Sequence, residues 1–200
     1  MKTHAGLLLV VAFIAVAAFF SLAFIIVHNG IVDADKRVEE AEAQIAAVCQ
    51  RRLDLMPNLI ETVKGYAQHE QRVLIAVTEA RANAKNILDQ VNQEGFSPET
   101  MKALDMSQAQ VTTAVRGIFA LVENYPDLKS SANFMALQDQ FEGTENRISV
   151  TRQRFNNSVR RYNAKIEKFP GVIIAPIFGY QQAGYFEAQP EAYAPVKAKF

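Results

Sequence analysis

Phe134, Phe141, Ile148, Phe155, Tyr162 and Phe169 recur every seven residues, with Leu137, Thr144 and Thr151 between them. That spacing aligns the side chains along one seam of a slightly supercoiled helix. Three earlier stretches carry a related 3-4 pattern. Ile31, Ala34, Val38, Ala41, Ile45, Val48, Arg52 and Leu55 form the first, with one charged member. Leu59, Val63, Tyr66, Glu70, Val73, Val77, Ala80, Ala84, Ile87 and Val91 form the second, again with one charge. Met101, Leu104, Gln108, Val111, Val115, Ile118, Val122 and Tyr125 form the third. Stripes this narrow suit helices packed at shallow angles in a bundle. Glycine and proline are sparse before residue 170, which favours long helices over sheets.

Punctuation between the stripes sets the expected boundaries. Pro57 lacks an amide hydrogen and disfavours helical geometry in Met56, so one helix is expected to end near Leu55 and the next to begin at Pro57. The alternative is a single kinked helix from Ile31 to Asn92. Ser97-Pro98-Glu99-Thr100 is a helix start, Tyr125-Pro126-Asp127 a stop. Ser130 or Ser131 opens the last helix, and Pro170-Gly171 closes it. The predicted fold is all-α: an N-terminal transmembrane helix, a long antiparallel up-down four-helix bundle and an irregular aromatic tail. The anchor takes residues 1–30, the bundle 31–170 (helices about 31–55, 57–92, 98–124 and 131–168) and the tail 171–200. Parity puts Pro57 and Tyr125-Pro126 at the far end, and Gly95 and Phe169-Pro170 near the bilayer. At 1.5 Å per residue the second and fourth helices run about 50–57 Å, which makes the bundle a long rod.

The anchor is read from Ala5 to Val27, apolar throughout except for Ser21. About 20 such residues cross a bilayer. The competing reading is a cleaved signal peptide, with Lys2 as its basic region and Ser21-Leu22-Ala23 as a loose cleavage site. Cleavage there would leave Phe24-Ile25-Ile26-Val27 as an apolar new terminus, and the run is long for a signal, so an uncleaved anchor is preferred. Lys2 precedes the span, while Lys36 and Arg37 follow it behind Asp33 and Asp35, and this near tie leaves the orientation open. Net charge is zero, with 21 basic and 21 acidic residues interleaved, so nothing points to nucleic acid. Cys49, the single cysteine, cannot form an internal disulfide and reads as a small packed residue.

Glu70 occupies a core-type position, and a buried carboxylate is costly unless paired. Level with it on the fourth helix are Thr144, Arg147 and Arg152, its candidate partners. Arg52 is expected to reach Asp139 or another carboxylate near the end of the bundle. Together Arg52, Glu70, Thr144, Arg147 and Arg152 are expected to form a structural polar layer that fixes helix register. His69 beside Glu70 does not converge with it, because adjacent helical residues point about 100° apart. His4 and His28 flank the membrane. Glu-x-x-His units, a glycine-rich phosphate loop, a nucleophile elbow and a Cys/His cluster are all missing from the sequence, so no catalytic residue, metal or cofactor is expected. Asn156 and Asn163, beside the Phe155 and Tyr162 seam, are expected to bond across helices.

Arg52, Asp54-Leu55, Pro57-Asn58-Leu59, Val63-Lys64-Gly65-Tyr66-Ala67 and His69-Glu70 resemble the signature of the LemA family of bacterial membrane proteins. Further matches are Ala80-Arg81, Tyr125-Pro126 with Leu128, Phe134 with Leu137, Thr144-Glu145, Arg152, Asn156, Tyr162-Asn163 and Phe169-Pro170. Phe155 departs from the tyrosine the family usually carries there. The resemblance runs from about residue 30 to residue 180 and implies one N-terminal membrane helix with an antiparallel four-helix bundle. It also implies two themes: membrane organisation, from a relative that helps build magnetosome membranes, and envelope maintenance, from neighbouring genes for heat-shock membrane proteases. Some members carry a lipid-attachment cysteine just before the domain, which implies export. This chain has His28-Asn29-Gly30 there, so an extracytoplasmic domain on the bacterial cytoplasmic (inner) membrane is only a leaning.

The tail from Val172 to Tyr180, then Tyr185-Phe186, is apolar and aromatic just where parity returns the chain to the membrane. Ile173, Ile174, Ile177, Phe178, Tyr180, Tyr185 and Phe186 are candidates for contact with the membrane interface or a neighbouring subunit. The alternative is a strap closing the end of its own bundle. The leading expectation is a non-enzymatic scaffold held in lipid by one helix, forming a homo-oligomer or binding other envelope proteins. A membrane-protease adaptor and an enzyme using Glu70 with Arg147 or Arg152 are the rivals.

Overall fold

A computed structural model describes residues 2–66 and 70–186. His69 and tail residues 187–200 lie outside them. The described residues form no strand. They fold into α1 (Lys2–Lys64), α2 (Gln71–Glu94), α3 (Pro98–Val122), the short α4 (Pro126–Lys129), α5 (Ala132–Glu167), the short α6 (Gly171–Ile174) and a 3-10 turn over Ala175–Phe178. Two compact units divide the chain, one of Met1–Glu40 with Asn157–Ala183, the other of Ala41–Asn156 with Gly184–Phe200.

In the second unit α1 passes Pro57 without ending. The boundary expected at Leu55–Pro57, and the kinked helix reaching Asn92, are both corrected: α1 stops at Lys64 and α2 starts at Gln71. The reason lies four residues before the proline. Pro57 has no N–H to give to the Leu53 carbonyl, and Arg81 of α2 donates its Nε to that oxygen instead, at 3.1 Å. With the orphaned carbonyl satisfied, the two stripes read as separate fuse into one. Ile45, Cys49, Leu53, Met56, Leu59 and Val63 are all buried along the same helix face.

The remaining helices of this unit bury matching faces. Val77, Ala80, Ala84, Leu88 and Val91 line α2, so Leu88 takes the place expected for Ile87. Leu104, Val111, Val115 and Ile118 line α3, and Phe134, Phe141, Ile148 and Phe155 line α5. Phe119 meets Phe134 and Phe141 edge-on, with ring centroids 5.8 and 6.3 Å apart. The α2–α3 turn uses Gly95 at φ 85°, a conformation side chains resist. Ser97 and Thr100 then close a reciprocal capping box on α3.

In the first unit the opening part of α1 holds an 18-residue window of mean hydropathy 3.0, none of it buried. Such a helix is long and apolar enough to span a bilayer. Phe13, Phe19 and Ile26 are each more than three-fifths exposed. Further along, Ile31, Ala34 and Val38 are buried, as are Val159, Tyr162 and Ile166 of α5. Lys165 donates to the Gly30 carbonyl. Beyond α5 the chain doubles back so tightly that a Cβ on Gly171 would lie 1.9 Å from the Lys165 carbonyl oxygen, and only glycine fits.

Candidate functional site

Polar side chains in the second unit gather between α1, α3 and α5. Arg52, only 4% exposed, pairs its guanidinium with Glu145 at 2.7 Å and donates to Thr112 at 2.9 Å. Burial pulls the Arg52 pKa below its usual value, and the Glu145 carboxylate opposes that pull. Arg152 pairs with Asp105 at 2.5 Å and lies 5.4 Å from the centre of the Phe186 ring. A cavity of about 450 Å³ opens here, lined by Arg52, Gln108, Thr112, Arg116, Glu145 and Arg152. Gln108 is 2% exposed, and neither its amide nitrogen nor its amide oxygen has a partner. Cys49 is fully buried, and burial raises its pKa to about 11, so the thiol stays protonated and inert.

The expected five-residue layer is corrected in part. Glu70 sits ahead of α2, half-buried, and its contact is the Tyr125 hydroxyl at 3.5 Å rather than Thr144, Arg147 or Arg152. Because α1 extends to Lys64, Glu70 lies in the turn and not on a helix stripe. Arg147 is exposed on the rim of a shallow groove with Val48 and Val150. Thr144 is buried but bonds the Phe141 carbonyl of its own helix, so it bridges nothing. Arg52 takes Glu145 rather than Asp139. Arg81 is visible in the sequence only as a family match with no role attached, and nothing in the sequence singles out Asp105 or Arg116. Sequence reasoning counted Gln108 as one more stripe member, although an amide on an apolar stripe was the available signal.

In the first unit α6 and the 3-10 turn carry apolar side chains on both sides. Ile174 and Ala175 are buried, whereas Val172, Ile173, Ile177 and Phe178 are 48%, 59%, 66% and 47% exposed. The Phe178 ring lies 5.9 Å from that of Phe24 and 4.2 Å from His28, with Tyr180 6.2 Å from His28. Ile174 and Phe186 are thereby corrected as contact candidates, since both are buried against their own chain. Tyr180 is half-buried, and Tyr185 is 47% exposed beside Pro98 and Lys102.

Residues 41–200 match the LemA family. The chain belongs to it. Magnetosome protein MamQ 2 of Paramagnetospirillum magneticum is 23% identical over 204 residues, 94% of this chain and 75% of the relative. Magnetosome protein MamQ of Magnetospirillum gryphiswaldense is 22% identical over 205 residues, 95% and 75%. Protein LemA of Metamycoplasma hominis is 22% identical over 176 residues, 88% and 76%. Family membership and the apolar helix together make this a membrane-associated protein.

The geometry explains several LemA signature residues. Pro57 and Arg81 are the paired defect and repair on α1. The two asparagines expected to bond across helices each clasp the backbone N–H and C=O of one tail residue. In the second unit Asn156 donates to the Phe186 carbonyl and accepts from its N–H, both at 2.9 Å. In the first, Asn163 makes the same pair with Ala183, both at 3.0 Å. The tail residues at these contacts form a strap, with Phe186 closing on Phe155 (5.2 Å) and Phe96 (6.4 Å).

Proposed function

We propose that this protein is a non-enzymatic scaffold of the bacterial cell envelope, anchored in the cytoplasmic membrane, whose helices self-associate or gather other envelope proteins. The observation that carries the reading is the apolar foot formed by α6 and the 3-10 turn. A helix apolar on every side belongs inside a core or in lipid, and this one leaves Ile173 and Ile177 uncovered. Its Phe178 contacts Phe24, the last aromatic of the apolar span. The foot and the span therefore offer the bilayer one continuous apolar surface. Arg160, Arg161, Lys165 and Lys168, all exposed, precede the foot and suit anionic headgroups.

The second unit is read as an antiparallel up-down bundle. Along α3 and α5, Asp105 meets Arg152, Thr112 meets Glu145, and Phe119 meets Phe141 and Phe134, so the contacts climb one helix as they descend the other. Core polar pairs that lock such a register, as Arg52–Glu145 does, suit a rigid platform. Relatives named as magnetosome proteins fit a role in organising membrane. Light scattering on the detergent-extracted full chain, with crosslinking in native membranes, tests the reading. A defined oligomer or a stable complex with another envelope protein is expected; a strict monomer with no crosslinked partner would overturn it.

A further inference from the structure

The cavity between α1, α3 and α5 holds more polar groups than the Arg52–Glu145 register pair accounts for. Three guanidiniums, those of Arg52, Arg116 and Arg152, line it against the single carboxylate of Glu145. Arg152 is paired with Asp105, so in this cavity the guanidiniums outnumber the carboxylates by one. A second lobe of about 200 Å³ shares Arg52, Thr112, Arg116 and Glu145 and is also lined by the exposed Glu142. Inside, the Nε atoms of Arg52 and Arg152 and both amide atoms of Gln108 are buried without partners. A structural layer would use these groups, because each unmet buried donor or acceptor carries its full desolvation cost. Here the unmet donors outnumber the unmet acceptor, yet an acceptor is present.

We propose that this cavity binds a phosphate group, as inorganic phosphate or a phosphomonoester. Its oxygens accept from the Arg52, Arg152 and Gln108 donors, with Arg116 supplying charge at the mouth. The group binds with one proton retained, as HPO₄²⁻ or the monoanion of a monoester, and that P–OH donates to the Gln108 amide oxygen, with Glu145 as a second acceptor at the wall. That last bond separates phosphate from sulfate, which has the same shape but no proton to give at neutral pH, so it leaves the amide oxygen unpaired.

Calorimetric titration of the detergent-solubilised full chain with inorganic phosphate, then sulfate, tests this. Phosphate is expected to bind with a dissociation constant below about 1 mM, and sulfate at least about tenfold more weakly. Gln108→Leu is expected to lose binding by at least about tenfold while raising the melting temperature, since it removes an unpaired buried amide. Arg116→Gln, at an exposed position that leaves the core intact, is expected to weaken phosphate severalfold with an unchanged melt. Glycerol 3-phosphate in solution and phosphatidic acid in the same micelles identify the source, as whichever binds more tightly than inorganic phosphate carries the natural group. Any one of three results overturns the proposal: no phosphate binding, as expected if ordered water alone fills the cavity; equal affinity for sulfate; or undiminished binding by Gln108→Leu.

Discussion

Pro57 and Arg81 show how one residue decides where a helix ends. Proline inside a helix normally costs about 3 kcal/mol, part of it through the carbonyl left unpaired four residues earlier. Here the Leu53 carbonyl accepts from Arg81 across 28 residues of sequence. A charged donor to such a group contributes about 1.5–3 kcal/mol. Arg81→Met should therefore cost about that much in chemical denaturation, and well under 1 kcal/mol in a Pro57→Ala background, where residue 57 regains its own N–H for Leu53. Equal costs in both backgrounds would show that Arg81 is not the repair. Pro57 was misread from sequence for the same reason: the proline was visible, but the donor that neutralises it came from another helix. Glu70 followed as a second error, since a helix ending at Leu55 put it on a core stripe that α1, ending at Lys64, does not supply. Arg52 differed, because a lone cation on an apolar stripe announces burial with a partner, and only the identity of Glu145 was hidden.

Whole elements were more legible than their joints. The seven-residue seam of α5 and the 3-4 stripe of α3 fix helices through side-chain periodicity alone, and Ser97-Pro98-Glu99-Thr100 reads directly as a helix start. The tail was not legible in this way. Its backbone groups are satisfied by side chains of α5, and no local pattern reveals that Asn156 and Asn163 each exchange two hydrogen bonds with a distant amide. At about 0.5–1.5 kcal/mol per bond, Asn163→Ala should destabilise the strap at Ala183 by about 1–3 kcal/mol. Limited proteolysis should then cut near residues 181–183 faster than in the unaltered chain, with the α5 helical signal retained. Unchanged cleavage would mean that the Tyr162 hydroxyl, which donates to the Gln181 carbonyl at 3.0 Å, suffices without the clasp.

At the scale of the molecule, the apolar span and the apolar foot together argue for a protein that works at a bilayer. The span was plain in the sequence from its length and composition. The foot was visible as an aromatic tail, but which of its side chains face outward depends on the tight return at Gly171 and on the burial of Ile174 and Ala175 beneath it. The chain contains no tryptophan, so a single introduced indole reports one position without background. The decisive measurement is therefore fluorescence of the Ile177→Trp protein in proteoliposomes, quenched by lipids brominated along their acyl chains. Insertion of the foot predicts blue-shifted emission and strong bromolipid quenching, against solvent-like, unquenched emission from a Met106→Trp control on α3. Solvent-like, unquenched emission from Ile177→Trp would contradict a foot in the membrane and, with it, the second apolar contact on which the scaffold reading rests.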